Sequence, residues 1–344
     1  MRVLHLITPR HLGGAELLVM RVMQEQAKMG VISRLITRQH SHVEKQAKQM
    51  GLDVVTASIG GKLNPGAVRA AQQKIQDFQP DLVCTHLSSA TLWGSLAARL
   101  SAVPCVAFVH GFNSAFSYRF ADMLICVSEA VGKHMRDQRV PTSKLRVVHN
   151  GIDIEPFLNC EPAVLPIPGN AFVVGAVAHL SPKKGYGELI HVARRVKDAH
   201  FVIVGEGPMR AHLEQEAAGR LRGRLHLLGF RQDIPALMRR FDMFCLPSWK
   251  EPFGLVLLEA MAASKPVAAF RSGGVEEIVQ HNQTGLLAPF PDIESMAANI
   301  SRLRDDPALC QSIGAAGQER VSSCFTLAHT CSGLLHVFNE VVSR

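Results

Sequence analysis

The sequence predicts an α/β protein built from two Rossmann-like parallel-sheet domains in series. Three observations carry this. Short apolar runs of strand length alternate with helix-length stretches from the first residues onward, the pattern of parallel sheets with crossover helices. The 344 residues are more than one ordinary core accommodates and fit two. The alternation is interrupted once, by the proline-rich stretch Cys160 to Gly169, after which a second set of strands begins.

In chain order, Arg2–Ile7 is the first strand, followed by a helix from about Ala15 to Lys28 and a strand at Ile32–Thr37. Asp81–Thr85, Val103–Val109 and Met123–Val127 continue the set, and Leu145–His149 closes it. The second set comprises Ala171–Ala178, His200–Val204, Leu225–Leu228, Met243–Leu246 and Pro266–Ala269. The join falls near Asn150–Asp153, giving domains 1–150 and 151–326, and Leu327 to Val342 forms a last apolar helix.

Composition narrows the class. With 47% hydrophobic and 19% charged residues the chain is globular rather than disordered. No run approaches the roughly 20 apolar residues that span a bilayer. The first apolar run is too short for a signal peptide, so the chain is expected to stay in the cytoplasm. Eight cysteines without a C-x-x-C pair read as free thiols in a reducing compartment. Sixteen histidines show no H-x-x-x-H or mixed Cys/His ligand spacing, and no metal is expected. Residues 1–150 hold 18 Lys+Arg against 9 Asp+Glu, a charge of +9, while the remaining 194 hold 19 against 20. The basic half suits an anionic membrane surface or a phosphorylated acceptor, and equally a merely solvated face. No nucleic-acid recognition motif accompanies it.

The most informative stretch is Glu251 to Ala262. Pro252 fits a first helical position, and a helix starting there offers backbone N–H groups to a phosphate. Glu251 would stand at the reacting end of a ligand. Glu259, about two turns on, would reach a hydroxyl such as a ribose. Together they describe a sugar-nucleotide site. Upstream, Lys183, Lys184 and Gly185 form a basic turn after a strand, and a departing diphosphate needs positive charge there. Gly13 and Gly14 follow the first strand, where glycines permit positive φ and close backbone approach to phosphate. The G-x-G-x-x-G fingerprint is absent, which disfavours a nicotinamide-dependent oxidoreductase. His110 ends an apolar strand at the sheet edge where ligands bind. Ser128 is equally a cap for the helix behind it. Gly205, Gly207 and Pro208, then Gly229 and Phe230, form turns after strands, and Ser272-Gly273-Gly274 precedes a helix.

Glu251 to Ala262 resembles the signature of the retaining family-four glycosyltransferases, which have the GT-B fold. The resemblance includes Gly-Gly-Ala-Glu at 13–16, Val-His-Gly at 109–111, Val-Ser-Glu-Ala at 127–130 and Asn-Gly-Ile-Asp at 150–153. It continues through Leu-Ser-Pro-Lys-Lys-Gly at 180–185, Val-Gly-Glu-Gly-Pro at 204–208, Leu-Gly-Phe at 228–230 and Ser-Gly-Gly at 272–274. It implies two domains facing across a cleft, an acceptor-side first domain, a donor-side second domain and a last helix that crosses back to the first. It further implies a UDP-linked donor, retention without a metal or other cofactor, and a lipid-linked or cell-envelope saccharide as acceptor. The protein would then be a hexosyltransferase of lipopolysaccharide or polysaccharide synthesis, at the inner face of the membrane.

His110, Lys184 and Glu251 are the implied catalytic residues. Gly13, Gly14, His179, Lys184, Gly205, Phe230, Arg231, Phe253, Gly254, Leu255 and Glu259 are the implied donor contacts. His179 departs from the pattern, because the family usually has arginine there; Lys183 or Arg231 would have to compensate. Two other readings stay open: a sugar-nucleotide epimerase on the same fold, and a degenerate subunit that binds donor without turning it over. No D-x-D motif lies in a plausible loop, and Asp305-Asp306-Pro307 sits near a helix start instead. Two first-domain loops, 60–65 and Gly111–Tyr118, carry no readable motif.

Overall fold

The computed structural model describes every residue except Arg10, Leu12, Gly60, Lys62 and Leu63, so much of loop 60–65 lies outside the described residues. The chain divides into two compact units, one of residues 1–150 with 327–344, the other of 151–326. Each holds one wholly parallel sheet.

The first unit's strands are β1 (Arg2–Ile7), β2 (Ile32–Thr37), β3 (Val54–Thr56), β4 (Leu82–His86), β5 (Cys105–Val109), β6 (Met123–Cys126) and β7 (Leu145–Val147). Their order in the sheet is β3-β2-β1-β4-β5-β6-β7. Helices α1 (Gly14–Lys28), α2 (His42–Gln49), α3 (Gly66–Phe78), α4 (Ser88–Leu100) and α5 (Glu129–Asp137) make the crossovers. Strand order reverses between β1 and β4, so their carboxyl ends diverge and open a crevice where doubly wound sheets bind ligands. β3 is invisible in the sequence because three half-buried residues at a sheet edge make no apolar run.

The second unit opens with α6 (Glu155–Leu158) and continues with β8 (Phe172–Val177), α7 (Tyr186–Arg195), β9 (Ala199–Val204), α8 (Arg210–Ala218) and β10 (Leu225–Leu227). Next come α9 (Ile234–Arg240), β11 (Met243–Leu246), α10 (Leu255–Ala262), β12 (Val267–Phe270), α11 (Val275–Ile278) and β13 (Leu286–Ala288). Helices α12 (Ile293–Asp305) and α13 (Pro307–Cys324) complete it. Strand order β10-β9-β8-β11-β12-β13 places the reversal between β8 and β11. Apolar side chains of β8, β9, β12, α7 and α12, among them Phe201, Phe270, Leu189 and Ile300, form its core.

The last helix, α14 (Leu327–Val342), belongs to the first unit. Its apolar stripe, Leu334, Val337, Phe338 and Val341, is buried at the helical spacing that one covered face requires. Arg146 of β7 is ion-paired with Glu340 through Nη2 and Oε1 at 2.5 Å, and Thr330 Oγ1 donates to the carbonyl of His149 at 3.0 Å. Among the described residues no helix is long and apolar enough to cross a membrane.

Candidate functional site

In the second unit the loops leaving β8 and β11, on either side of the reversal, are tied together. The turn after β8 is a short 3-10 helix, Pro182–Lys184, ended by Gly185 in the left-handed region at φ 71°. A Cβ on Gly185 would stand 1.8 Å from the carbonyl oxygen of Pro247, so only glycine lets the two loops pass. The indole of Trp249 donates to the Pro182 carbonyl at 3.2 Å and its backbone N–H to the Lys183 carbonyl at 3.3 Å. Across that seam Lys184 Nζ meets Glu251 Oε2 at 2.7 Å. Glu251 is buried at 6% exposure, and this partner is what makes its charge tolerable there.

A third loop holds the backbone that carries Glu251. Gly274 N–H donates to the Glu251 carbonyl at 3.0 Å, and Ser272 Oγ donates to the Ser248 carbonyl at 2.8 Å. A Cβ on Gly274 would lie 2.5 Å from the Pro252 carbonyl oxygen, which explains the glycine in Ser272-Gly273-Gly274. On the other side of β8, Leu180 N–H donates to Glu206 and Gly205 N–H to Gly229, joining the loops after β9 and β10 to the same edge. The carboxyl ends of five neighbouring strands therefore supply Lys184, Glu251 and the turns around them.

Two buried hydroxyls at this edge, Ser181 Oγ and Ser248 Oγ, have no hydrogen-bond partner. Orphaned buried hydroxyls are uncommon, and beside a paired lysine and glutamate they suit a polar ligand. Sequence reasoning misses both, because a serine beside a strand end has no distinguishing spacing.

Several expectations need correction. The helix after Glu251 begins at Leu255, not Pro252, with Gly254 at φ 112° as its cap, because the chain first turns at 252–254. Phe253 points its ring into the core at 2% exposure, edge-on to Phe325, so its side chain is packing. Glu259 lies midway along α10 and is half-buried. Arg231 is held in a two-pronged pair with Asp233 at 2.8 and 2.6 Å; His179 and Lys183 are exposed. Phe230 is 69% exposed beside it. Asp306 accepts from Leu309 N–H as the cap of α13 and Asp305 pairs with Arg304, so both carboxylates serve the helix ends.

In the first unit Gly13 is extended at φ −133°, so the expected positive φ is not the reason for a glycine there. Its N–H donates to Glu16 Oε2 at 2.9 Å, and burial raises that carboxyl above its usual range. Gly14 is exposed as the first residue of α1. Ser128 caps α5 by accepting from Val131 N–H at 3.1 Å. The loop Gly111–Tyr118 is anchored by α5: Gln138 donates to the Asn113 carbonyl at 2.9 Å and accepts from Ala115 N–H at 2.9 Å.

His110 ends a row that sequence reasoning does not foresee. His5 Nδ1 lies 3.1 Å from His86 Nε2, and His86 Nδ1 lies 3.2 Å from His110 Nε2. Cys84 Sγ is 3.5 Å from His86 Nε2. The three histidines lie on or just after β1, β4 and β5, at the β1/β4 reversal. Burial pushes His5 from 6.5 down to about 4, and lowers His86 and His110 as well. All three are therefore neutral at pH 7. Below pH 6.5 the unfolded chain takes up protons that these rings refuse, so native stability falls with pH. For His5 alone the loss at pH 5 is about 2 kcal/mol. Urea melts of the first unit at pH 7 and pH 5 are expected to show it, and His5→Phe to flatten the difference.

Residues 160–320 match the family described as glycosyl transferases group 1, and residues 12–156 match glycosyltransferase family 4. The chain is 31% identical over 261 residues to an Escherichia coli UDP-Gal:alpha-D-GlcNAc-diphosphoundecaprenol alpha-1,3-galactosyltransferase, covering 67% of each chain. It is 27% identical to the Rhizobium meliloti lipopolysaccharide core biosynthesis glycosyltransferase LpsD, covering 78% of each. Anabaena HepE, crystallised with UDP and glucose, shares the fold with a TM-score of 0.88 at 24% identity, over 99% of this chain and 100% of that one.

Proposed function

This chain belongs to the group 1 glycosyl transferases, and we propose that it moves a hexose from a UDP-sugar to a lipid-linked or cell-envelope saccharide, with retention and without a metal. The observation that carries this reading is the Lys184–Glu251 pair at the β8/β11 reversal. When the bond from the anomeric carbon to the diphosphate oxygen breaks, negative charge grows on the diphosphate and positive charge on the sugar. A lysine ammonium stabilises the first without a metal, and a carboxylate beside it faces the second. The acceptor oxygen then bonds to the anomeric carbon on the face the diphosphate leaves. Its proton passes to a departing phosphate oxygen, so no protein base is needed.

Glu259 takes the ribose hydroxyls, and the turns at Gly205 and Phe230 enclose the nucleoside. Gly254 and Leu255, at the start of α10, offer backbone to the diphosphate. His110, on the first unit, donates to a sugar hydroxyl. Gly13 and Gly14 serve the diphosphate only once Glu16 releases the Gly13 N–H. The first unit carries the whole positive excess, which suits an acceptor held at an anionic membrane.

The test is a titration with UDP and other diphosphate nucleotides, with and without chelator, followed by the anomeric configuration of the product. Selective UDP binding insensitive to chelator, and a product with the donor's configuration, are expected. An inverted product or an absolute metal requirement overturns the reading. Glu259→Ala is expected to weaken UDP binding roughly tenfold to a hundredfold, the loss of a hydrogen bond to a charged group; unchanged affinity removes Glu259 from the site.

A further inference from the structure

The row His5–His86–His110 is built as a hydrogen-bonded chain rather than a metal site. His5, Cys84 and His86 do place ligand atoms within 4.8 Å of one another. The ring geometry decides the matter. Ring centroids are 5.4 Å apart for His5–His86 and 5.5 Å for His86–His110, against nitrogen separations of 3.1 and 3.2 Å. In both pairs the excess is 2.3 Å, two ring radii laid end to end. The bonded nitrogens therefore point straight at each other, where ligands of one ion would point at a common third position.

Such a chain of neutral rings has only two consistent proton arrangements. His86 has one N–H and two ring neighbours, so it donates to one and must accept from the other. If it donates to His5, His110 must donate to His86, and the outer nitrogen of His110 is bare. If it donates to His110, His5 donates to His86, and the outer nitrogen Nδ1 of His110 carries the proton.

The buried end selects between them. His5 Nε2 is fully enclosed and has no partner. The adjoining cavity, ≈ 10 Å³ and walled by Leu18, Val22, Leu334 and Phe338, is at the lower limit for one water. A buried water takes about three hydrogen bonds, and His5 Nε2 is the one enclosed ring nitrogen of the row left to offer it any. In the first arrangement His5 Nε2–H is a buried donor without an acceptor. In the second, His5 donates through Nδ1–H to the one lone pair of His86 Nε2, and only a bare lone pair is left at the buried end. Orphaned buried N–H groups are the rarer and costlier defect, which outweighs the slight preference of a free imidazole for the Nε2–H form.

We propose that His5 and His86 are positioning residues that fix His110 as the Nδ1–H tautomer, so that it meets a sugar as a hydrogen-bond donor and not as a base. This rests on the reading of His110 as a sugar contact. Long-range ¹H–¹⁵N correlation on the full chain labelled at histidine nitrogen reads each tautomer without any ligand. The expected result is a protonated Nδ1 and a bare Nε2 on all three rings; protonated Nε2 on His110 and His5 overturns the proposal.

His5→Phe fills the site but cannot donate. It is expected to convert His110 to a mixture of tautomers and to lower kcat/KM roughly tenfold. His5→Asn, whose amide nitrogen stands where Nδ1 stands, is expected to restore both. An unchanged His110 tautomer in a folded His5→Phe protein, shown by native circular dichroism, also overturns it. If the tautomers are as stated but His110→Ala leaves transfer intact, the sugar-contact role of His110 fails while the chain itself stands.

Discussion

Lys184→Ala is expected to lower kcat by two to three orders of magnitude while leaving the protein folded. The side chain is partly exposed and holds a single ion pair; circular dichroism of the variant checks that the fold is retained. In the proposed mechanism loss of the lysine removes the fixed charge that meets the departing diphosphate, and deleting one such preorganised donor typically costs about 10²–10³ in rate. It also strands Glu251, which is 6% exposed and would face an empty position. Lys184→Arg retains charge but not shape, and is expected to recover only part of the rate. Initial-rate kinetics with the best UDP-sugar distinguish the cases. A kcat within threefold of wild type for Lys184→Ala would remove the lysine from the chemistry.

The second large effect comes from a glycine two residues from its own control. Gly185→Ala is expected to destabilise the second unit by about 3 kcal/mol and to abolish donor binding. The added Cβ would sit 1.8 Å from the Pro247 carbonyl oxygen, with φ held at 71°. Neither a backbone oxygen nor a left-handed turn can yield without parting the Lys184 and Glu251 loops. Gly187, in the first turn of α7, has nothing within 4 Å and ordinary backbone angles. Gly187→Ala is therefore expected to raise stability by about 0.5–1 kcal/mol, as alanine does in an exposed helix. Denaturant melts of the two variants read the contrast, and equal effects would refute the close-approach account of the Lys-Lys-Gly turn.

How much of the molecule is legible in its sequence depends on where the signal resides. Fully buried strands such as Cys105–Val109 and Met123–Cys126 announce themselves as apolar runs, because both faces of a parallel sheet are covered. Lys184 and Glu251 are each legible, because each follows a strand with a turn of recognisable composition, but their approach to 2.7 Å is visible only in the fold. The helix start is misplaced because proline suits a first helical position so well that it masks Gly254, the actual cap. The pairing of Arg231 with Asp233 is unreadable, since the two stand two residues apart in a pattern common to any surface turn. The histidine chain cannot be found from spacing at all. His5, His86 and His110 are separated by 81 and 24 residues, and only the strand order β1-β4-β5 makes them neighbours.

The placement of α14 has a consequence for how the chain is made. A ribosome releases residues 1–150 first, yet Leu334 and Phe338, which wall the cavity beside His5, emerge only after the whole of 151–326. The first unit leaves the tunnel with an apolar groove along α1 uncovered and its histidine row open to water. The second unit, contiguous in sequence, can finish while the first still waits. Of the two units, the one whose synthesis starts earlier is thus completed later, and during that interval its open groove is the surface a chaperone would meet.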